Sequence, residues 1–238
     1  MIVAIMQPYF FPYIGYFQLM QAVDTFVFFD DVQYIDRGWV NRNQIPINGN
    51  PVWLTMPIRK ASRRLPINKR EYLLAEGALA IKRKLRSAYR TTNGISLLDS
   101  IEGLLDFNDA NVARFNANLL RIIAGWLEIK CCFVCASELM TEDESLRGEA
   151  RVIELCKRLG ARQYINLIGG VRLYEPTHFS DSGIKLSFLR TTVPPLQTAD
   201  GPKHFSIIDQ LLNLELKEIS HLLQKFETQP LMGNQNYS

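Results

Sequence analysis

The chain has 238 residues, 47% of them hydrophobic and 21% charged, with a formal net charge of +3. This is the composition of an ordinary globular chain with a substantial core. No apolar run reaches the length of a membrane span, and the N-terminus has neither a basic region nor a small-residue cleavage site, so a cytoplasmic protein is expected.

The first forty residues organise the rest. Ile2–Met6 is a short apolar run that reads as a buried strand. Gln7-Pro8 stops it, because proline has no N–H for a ladder and restricts the residue before it. An aromatic loop with Tyr9, Phe10, Phe11 and Tyr13 follows, and from Ile14 a helix with one broad apolar face. Residues 25–29 read as a second buried strand ending in Asp30 and Asp31. Strand, helix and strand make a βαβ unit with two parallel strands. Ligands in such sheets bind beyond the carboxyl ends of the strands. That rule brings Gln7, Tyr9, Tyr13, Asp30, Asp31 and Gln33 to one edge. Phe10 and Phe11 either line that edge or plug the core.

Residues 36–43 are dense in hydrogen-bonding side chains, Arg37, Asn41, Arg42 and Asn43, and Trp39 offers a flat stacking surface. Asn48-Gly49 between apolar runs marks a hairpin over residues 45–57. Residues 59–66 form a basic loop, and 68–89 a helix broken at 91–94. Two helices follow at 96–107 and 109–127, the first capped by Ser96 and the second by Asn108 or Asp109. A strand at 131–135 is expected to be buried, with its cysteines in the core. Acids at 142–144 open a further helix that ends at Gly160. Strands at 163–167 and 183–190 and one or two helices over 206–226 complete the chain, and residues 229–238 are expected to fray. The pattern predicts one α/β domain over residues 1–238, built on a mostly parallel, open, Rossmann-like sheet with a helical insertion at about 66–129.

Four cysteines without a signal peptide fit no disulfide framework. Cys132 and Cys135 have CxxC spacing but point to opposite faces of a strand, so no metal site is expected. Between residues 59 and 90 eleven Lys or Arg face two acids, +9, which leaves 16 − 22 = −6 for the remainder. Such asymmetry points either to a solvated helix face or to an anionic partner, among which nucleic acid ranks last and is not expected, because the overall balance is modest and no binding motif is present. Ile165 and Asn166 lead into Gly169-Gly170, where the backbone can approach a ligand, and Tyr174 lies beyond. If this strand joins the same sheet, Asn166, Gly169, Gly170 and Tyr174 meet Gln7 and Asp30.

Several motifs resemble one family: QPYFFPYIGYFQL at 7–19, FDDVQY at 29–34, RGWVNRNQI at 37–45, WLTMPI at 53–58, GIKLSFL at 183–189, and Ser206-Ile207-Ile208-Asp209. Together they look like the WbqC-like proteins of bacterial O-antigen and surface-glycan gene clusters. The resemblance implies a role in making decorated surface sugars, with aminoacyl (glycyl-type) transfer to an amino sugar. On that basis a nucleotide-linked amino sugar is the expected acceptor, with no cofactor. The donor is a CoA thioester or an acyl or aminoacyl carrier protein docked at the basic 59–90 region. Asp30 and Asp31 are the candidate bases for the attacking amine. Gln7, Tyr9, Tyr13, Gln33, Arg37, Trp39, Asn41, Arg42, Asn43, Asn166, Gly169, Gly170 and Tyr174 are the candidate binding residues. Two other readings compete. Pro12 to Tyr16 resembles the HIGH-type loop of nucleotidylyltransferases, without its phosphate-holding histidines. A non-catalytic module delivering a carrier-bound substrate is the other.

Overall fold

The computed structural model describes residues 1–90, 95–139, 143 and 145–230. In chain order the strands are β1 (Ile2–Met6), β2 (Thr25–Phe28), β3 (Arg42–Ile47), β4 (Asn50–Thr55), β5 (Cys132–Cys135), β6 (Gln163–Leu167), β7 (Lys185–Thr191), β8 (Leu196–Thr198), β9 (Gly201–Lys203) and β10 (Phe226–Pro230). The helices are α1 (Ile14–Gln21), α2 (Leu74–Ala88), α3 (Ile95–Leu104), α4 (Val112–Trp126), α5 (Gly148–Arg158), α6 (Pro176–Asp181), α7 (Ile207–Asn213) and α8 (Leu216–Leu223). Six strands form one sheet in the order β10-β7-β6-β1-β2-β5. All its pairs are parallel except β10 with β7. This is the expected α/β architecture.

Helices cover both faces, so the central strands are apolar on both sides. Val3, Ile5, Val27, Tyr164, Leu186 and Phe188 pack with Val152, Leu155 and Cys156 of α5 and Phe179 of α6. Their alternate neighbours Ala4, Phe26, Phe28, Ile165, Leu167 and Leu189 join α1, the helices between β2 and β5, and α7 and α8. Helix α1 is buried from Ile14 to Met20 rather than on one face. Even Gln18 is enclosed, its Nε2 donating to the carbonyls of Leu222 (2.7 Å) and Lys225 (2.9 Å) at the end of α8. The β3–β4 hairpin forms as read, with Asn48 and Gly49 both at positive φ (50° and 75°).

Other expectations are corrected. Helix α2 starts at Leu74, not at 68, because the N–H groups of Tyr72 and Leu73 are engaged by the carbonyls of Ala110 and Pro57 (both 2.8 Å). Helix α4 is capped by Asn111, whose side chain accepts from the Arg114 N–H (3.0 Å), while Asp109 holds the Arg114 guanidinium. Strand β5 is an edge strand. Cys132 is exposed, Cys131 and Cys135 are half-buried, and of the four cysteines only Cys156 is in the core. Gln229 and Pro230 belong to β10, which a hydrophobic pattern could not reveal because Glu227, Thr228 and Gln229 are polar. The break at 91–94, the Ser96 cap, the acids at 142 and 144, and residues 231–238 lie outside what is described. Among the described residues no helix is long and apolar enough to cross a membrane, and no group of three or more His, Cys, Asp or Glu side chains could hold a metal ion.

One buried amide ties the α4 core to the front of the sheet. Asn116 donates to the carbonyls of Pro8 (2.8 Å) and Val40 (2.6 Å) and accepts from the Tyr72 hydroxyl (3.0 Å). Asn116→Ala leaves the Pro8 carbonyl unpaired in the interior, while the Tyr72 hydroxyl and the Val40 carbonyl keep each other (2.9 Å), and is expected to cost about 1–3 kcal/mol. Urea unfolding followed by circular dichroism measures it.

Candidate functional site: a cleft at the switch point of the sheet

The loop after β1 sorts its rings by burial. Phe10 and Phe11 are fully buried, edge to face at 4.8 Å, and so belong to the core. Phe11 sits at φ 42°, a conformation that non-glycine residues seldom adopt. It is held there by Asn43, whose Nδ2 donates to the carbonyls of Phe11 (3.0 Å) and Phe10 (3.3 Å). Tyr9 and Tyr13 turn the other way. Tyr13 lies over the first turn of α1, where a Cβ on Gly15 would stand 2.3 Å from its ring, so this close approach requires glycine.

Tyr9 and Tyr13 form part of the wall of a cleft of about 660 Å³. It lies beyond the carboxyl ends of β1 and β6. These neighbours are where the chain reverses its direction across the sheet, β2 and β5 lying to one side and β7 and β10 to the other. That is the switch point at which open α/β sheets bind ligands. Gln7 lines it from the β1 loop, and Ile35, Trp39 and Asn43 from the segment before and within β3. Gly148 and Glu149 come from the start of α5, Asn166, Gly169, Gly170, Leu173 and Tyr174 from the end of β6, and His204 from the chain after β9. Among the described residues no Lys or Arg lines it.

The polar groups form two linked sets. Asn166 is buried. Its carbonyl oxygen accepts from the Leu167 N–H (2.7 Å), and its Nδ2 donates to the Tyr174 hydroxyl (3.1 Å), which also bonds the Tyr164 hydroxyl (3.0 Å). A Cβ on Gly170 would stand 2.8 Å from the Asn166 Nδ2, so glycine here keeps that side chain in place. Glu149 accepts from the Glu175 N–H (2.6 Å) and bonds His178 Nδ1 (2.7 Å). It is the one carboxylate among the described lining residues. Burial pushes the Tyr9 and Tyr174 hydroxyls up and Tyr13 to about 12, so all three stay protonated at neutral pH. Burial also lowers His204, whose ring lies 5.4 Å from Tyr13. His178 is raised by its hydrogen bond to Glu149.

Of the residues singled out from sequence, Gln7, Tyr9, Tyr13, Trp39, Asn43, Asn166, Gly169, Gly170 and Tyr174 meet in this cleft. The others do not line it. Asp30 is buried beside β5, accepting from the Ser137 N–H (2.9 Å) and Oγ (2.6 Å) and from Asn68 (3.3 Å). Asp31 pairs with Arg151 at 2.7 Å. Asn41 is buried between Tyr34 and Met56, Gln33 donates to the Arg63 carbonyl, and Arg37 is exposed with φ 59°. Arg42 lies 4.1 Å above the Trp53 ring and donates to the carbonyls of Gly38 and Arg37. Sequence reading missed Gly148, Glu149 and His204. Glu149 was within reach of the rule used for Gln7, because it opens the helix that follows a parallel strand.

A mostly parallel α/β sheet with an aromatic, acid-bearing cleft at its switch point is the class of protein that these observations define. The chain belongs to the WbqC-like protein family, whose sequence model matches residues 7–221. An uncharacterized protein of Mycobacterium tuberculosis (strain ATCC 25618 / H37Rv), Rv1507c, is 29% identical over 168 residues, 69% of this chain and 71% of that relative. No solved structure matches the chain.

The two cleft-side histidines are expected to titrate in opposite directions. His178 gains a carboxylate partner, so its imidazolium persists above the ordinary midpoint and its pairing is lost as pH rises through that raised value. His204 stays neutral to lower pH because burial disfavours its charge. Imidazole NMR titration measures both, and Glu149→Gln should return His178 alone towards its ordinary value.

Proposed function

We propose that the protein transfers an acyl or aminoacyl group to an amino sugar during bacterial surface-glycan assembly. The observation that carries this reading is the lining of the cleft, with aromatic walls, one carboxylate and no cation among the described residues. Trp39, Tyr9 and Tyr13 supply flat faces of the kind sugars stack on. Glu149 attracts the ammonium of an amino sugar and takes its proton. The neutral amine nitrogen then attacks the carbonyl carbon of a thioester, the C–N bond forms, the C–S bond breaks, and the nitrogen's second proton passes to the leaving thiolate, which departs as the thiol. The hydroxyls of Tyr9 and Tyr13, kept protonated by burial, are the available donors for the carbonyl oxygen as charge develops on it. A nucleotide diphosphate carried by the sugar would lie outside this lining, towards the exposed Arg37 and Arg172.

Asp30 and Asp31, the bases expected from sequence, are given supporting roles here, joining β2 to Ser137 of the β5 loop and to Arg151 of α5. Nucleotidyl transfer fits less well, because its reacting phosphates need cations that none of the described lining residues supplies. The basic 59–90 region is also partly neutralised, by Arg59 with Glu71 (3.0 Å), Lys82 with Asp106 (2.5 Å) and Arg86 with Asp99 (2.8 Å) and Glu102 (2.7 Å).

Mass spectrometry of free-amine sugar nucleotides incubated with acyl and aminoacyl thioesters tests the reading. Glu149→Gln is expected to lower turnover by about 10²-fold or more and also to weaken binding of the amino sugar, whose ammonium it attracts. Asp30→Asn is expected to lower the melting temperature and leave turnover per folded molecule nearly unchanged. A sugar that binds without any mass gain from any donor would favour the non-catalytic module. Full activity in Glu149→Gln would remove the carboxylate from the mechanism.

A further inference from the structure

Among the described residues, large apolar side chains left in solvent gather at the mouth of the cleft. Ile35 is 57% exposed, Trp39 44% and Leu173 67%, and all three line the opening. Ile35 begins a turn closed by the Gly38 N–H on its carbonyl (3.2 Å), with Arg37 in the left-handed region. Leu173 ends the 3-10 turn Ile168–Leu173. The two turns come from different parts of the chain, one following β2 and the other β6. Such exposure is costly in water, and its concentration at one place marks a contact surface.

Positive charge lies beside it. The loop at 59–66 runs along the segment that leads to Ile35, with the Tyr34 N–H on the Leu65 carbonyl (3.2 Å) and Gln33 on the Arg63 carbonyl (3.1 Å). Lys60, Arg63 and Arg64 on this loop are exposed and have no ion-pair partner among the described residues. Arg37 and Arg172 are exposed on the two turns themselves, against Asp36 and Glu175 nearby. A second exposed apolar pair, Leu79 and Phe107, lines a shallow groove of about 400 Å³, but there Lys82 is neutralised by Asp106. Arg83 and Lys84 of α2 are exposed without an ion pair among the described residues too, so it is the position of Lys60, Arg63 and Arg64 along the segment leading to Ile35 that links charge to the cleft mouth.

We propose that the mouth of the cleft docks on an anionic lipid bilayer. Ile35 and Leu173 enter the boundary between headgroups and acyl chains, while Lys60, Arg63 and Arg64 meet the lipid phosphates. The apolar groups stand on turns and not inside a groove, which suits insertion into a fluid layer better than a protein partner. The cleft then opens towards the headgroups.

Sedimentation of the full chain with vesicles tests this. Binding to equimolar phosphatidylglycerol and phosphatidylcholine is expected to exceed binding to pure phosphatidylcholine by about tenfold, and to weaken with added salt. Leu173→Asp and Ile35→Asp should each reduce it by about tenfold, and so should Arg63→Glu with Arg64→Glu, while Leu79→Asp changes nothing. Circular dichroism confirms that each variant is folded. No binding to the anionic vesicles, or equal binding by wild type and Leu173→Asp, would overturn the proposal, as would equal loss in Leu79→Asp. The assay reads no turnover, so an inactive protein that binds vesicles leaves docking intact, and an active one that does not bind them leaves only the transferase reading.

Discussion

Two asparagine side chains hold the backbone on which the cleft depends. Asn43 donates to the carbonyls of Phe10 and Phe11, and Asn116 to that of Pro8. The loop between β1 and α1 cannot satisfy these carbonyls itself, because it is neither helix nor strand and two of its residues are prolines. Without the amides the left-handed backbone at Phe11 has no reason to persist. With them, Phe10 and Phe11 are driven into the core, which leaves Tyr9 and Tyr13 to form the wall. The segments that carry Asn43 and Asn116 lie between β2 and β5. That long connection therefore shapes the cleft even though the cleft belongs to β1 and β6.

This explains which parts of the molecule could be read from sequence. The strands β1, β2 and β6, the β3–β4 hairpin and helix α1 are legible because local pattern and tertiary structure agree on them. The rule for strand ends correctly brought Gln7 and Asn166 together. Its weakness was that every parallel strand has a carboxyl end, and sequence does not give strand order. Asp30 and Asp31 end β2, which lies one place away from the switch point, and there Ser137 and Arg151 occupy them. The strand that meets β1 on its other side is β6, and the helix that leads into β6 brings Glu149. Asn41 and Asn43 show a second limit. Both were read as polar groups free for a ligand, yet the amide of each is bonded to backbone carbonyls. A buried amide serves the backbone first, because an unpaired carbonyl is costly.

Charge tells a similar story. The excess of eleven cations over two acids between residues 59 and 90 is a property of one stretch of sequence. In three dimensions α3 and the turn after it bring Asp99, Glu102 and Asp106 against α2, and much of the helical excess disappears. Arg83 and Lys84 of α2 and Lys60, Arg63 and Arg64 of the loop keep no ion pair among the described residues, and the loop folds back along the segment leading to Ile35. Sequence asymmetry counts charges along the chain and cannot show which of them the fold pairs.

The cleft combines features that oppose one another. Burial keeps Tyr9, Tyr13 and Tyr174 protonated, so they are donors, while Glu149 at the start of α5 is an acceptor. Its oxygens accept from the Glu175 N–H and bond His178, whose ring faces solvent. The carboxylate is thereby tied to a group outside the cleft while still lining it. Asp30 could not act in the same way. Its hydrogen bonds to Ser137 and Asn68 engage both of its oxygens beside β5, outside the cleft. Both acids have both oxygens engaged; what separates them is that one lines the cleft at the switch point and the other sits a strand away, and that is decided by strand order.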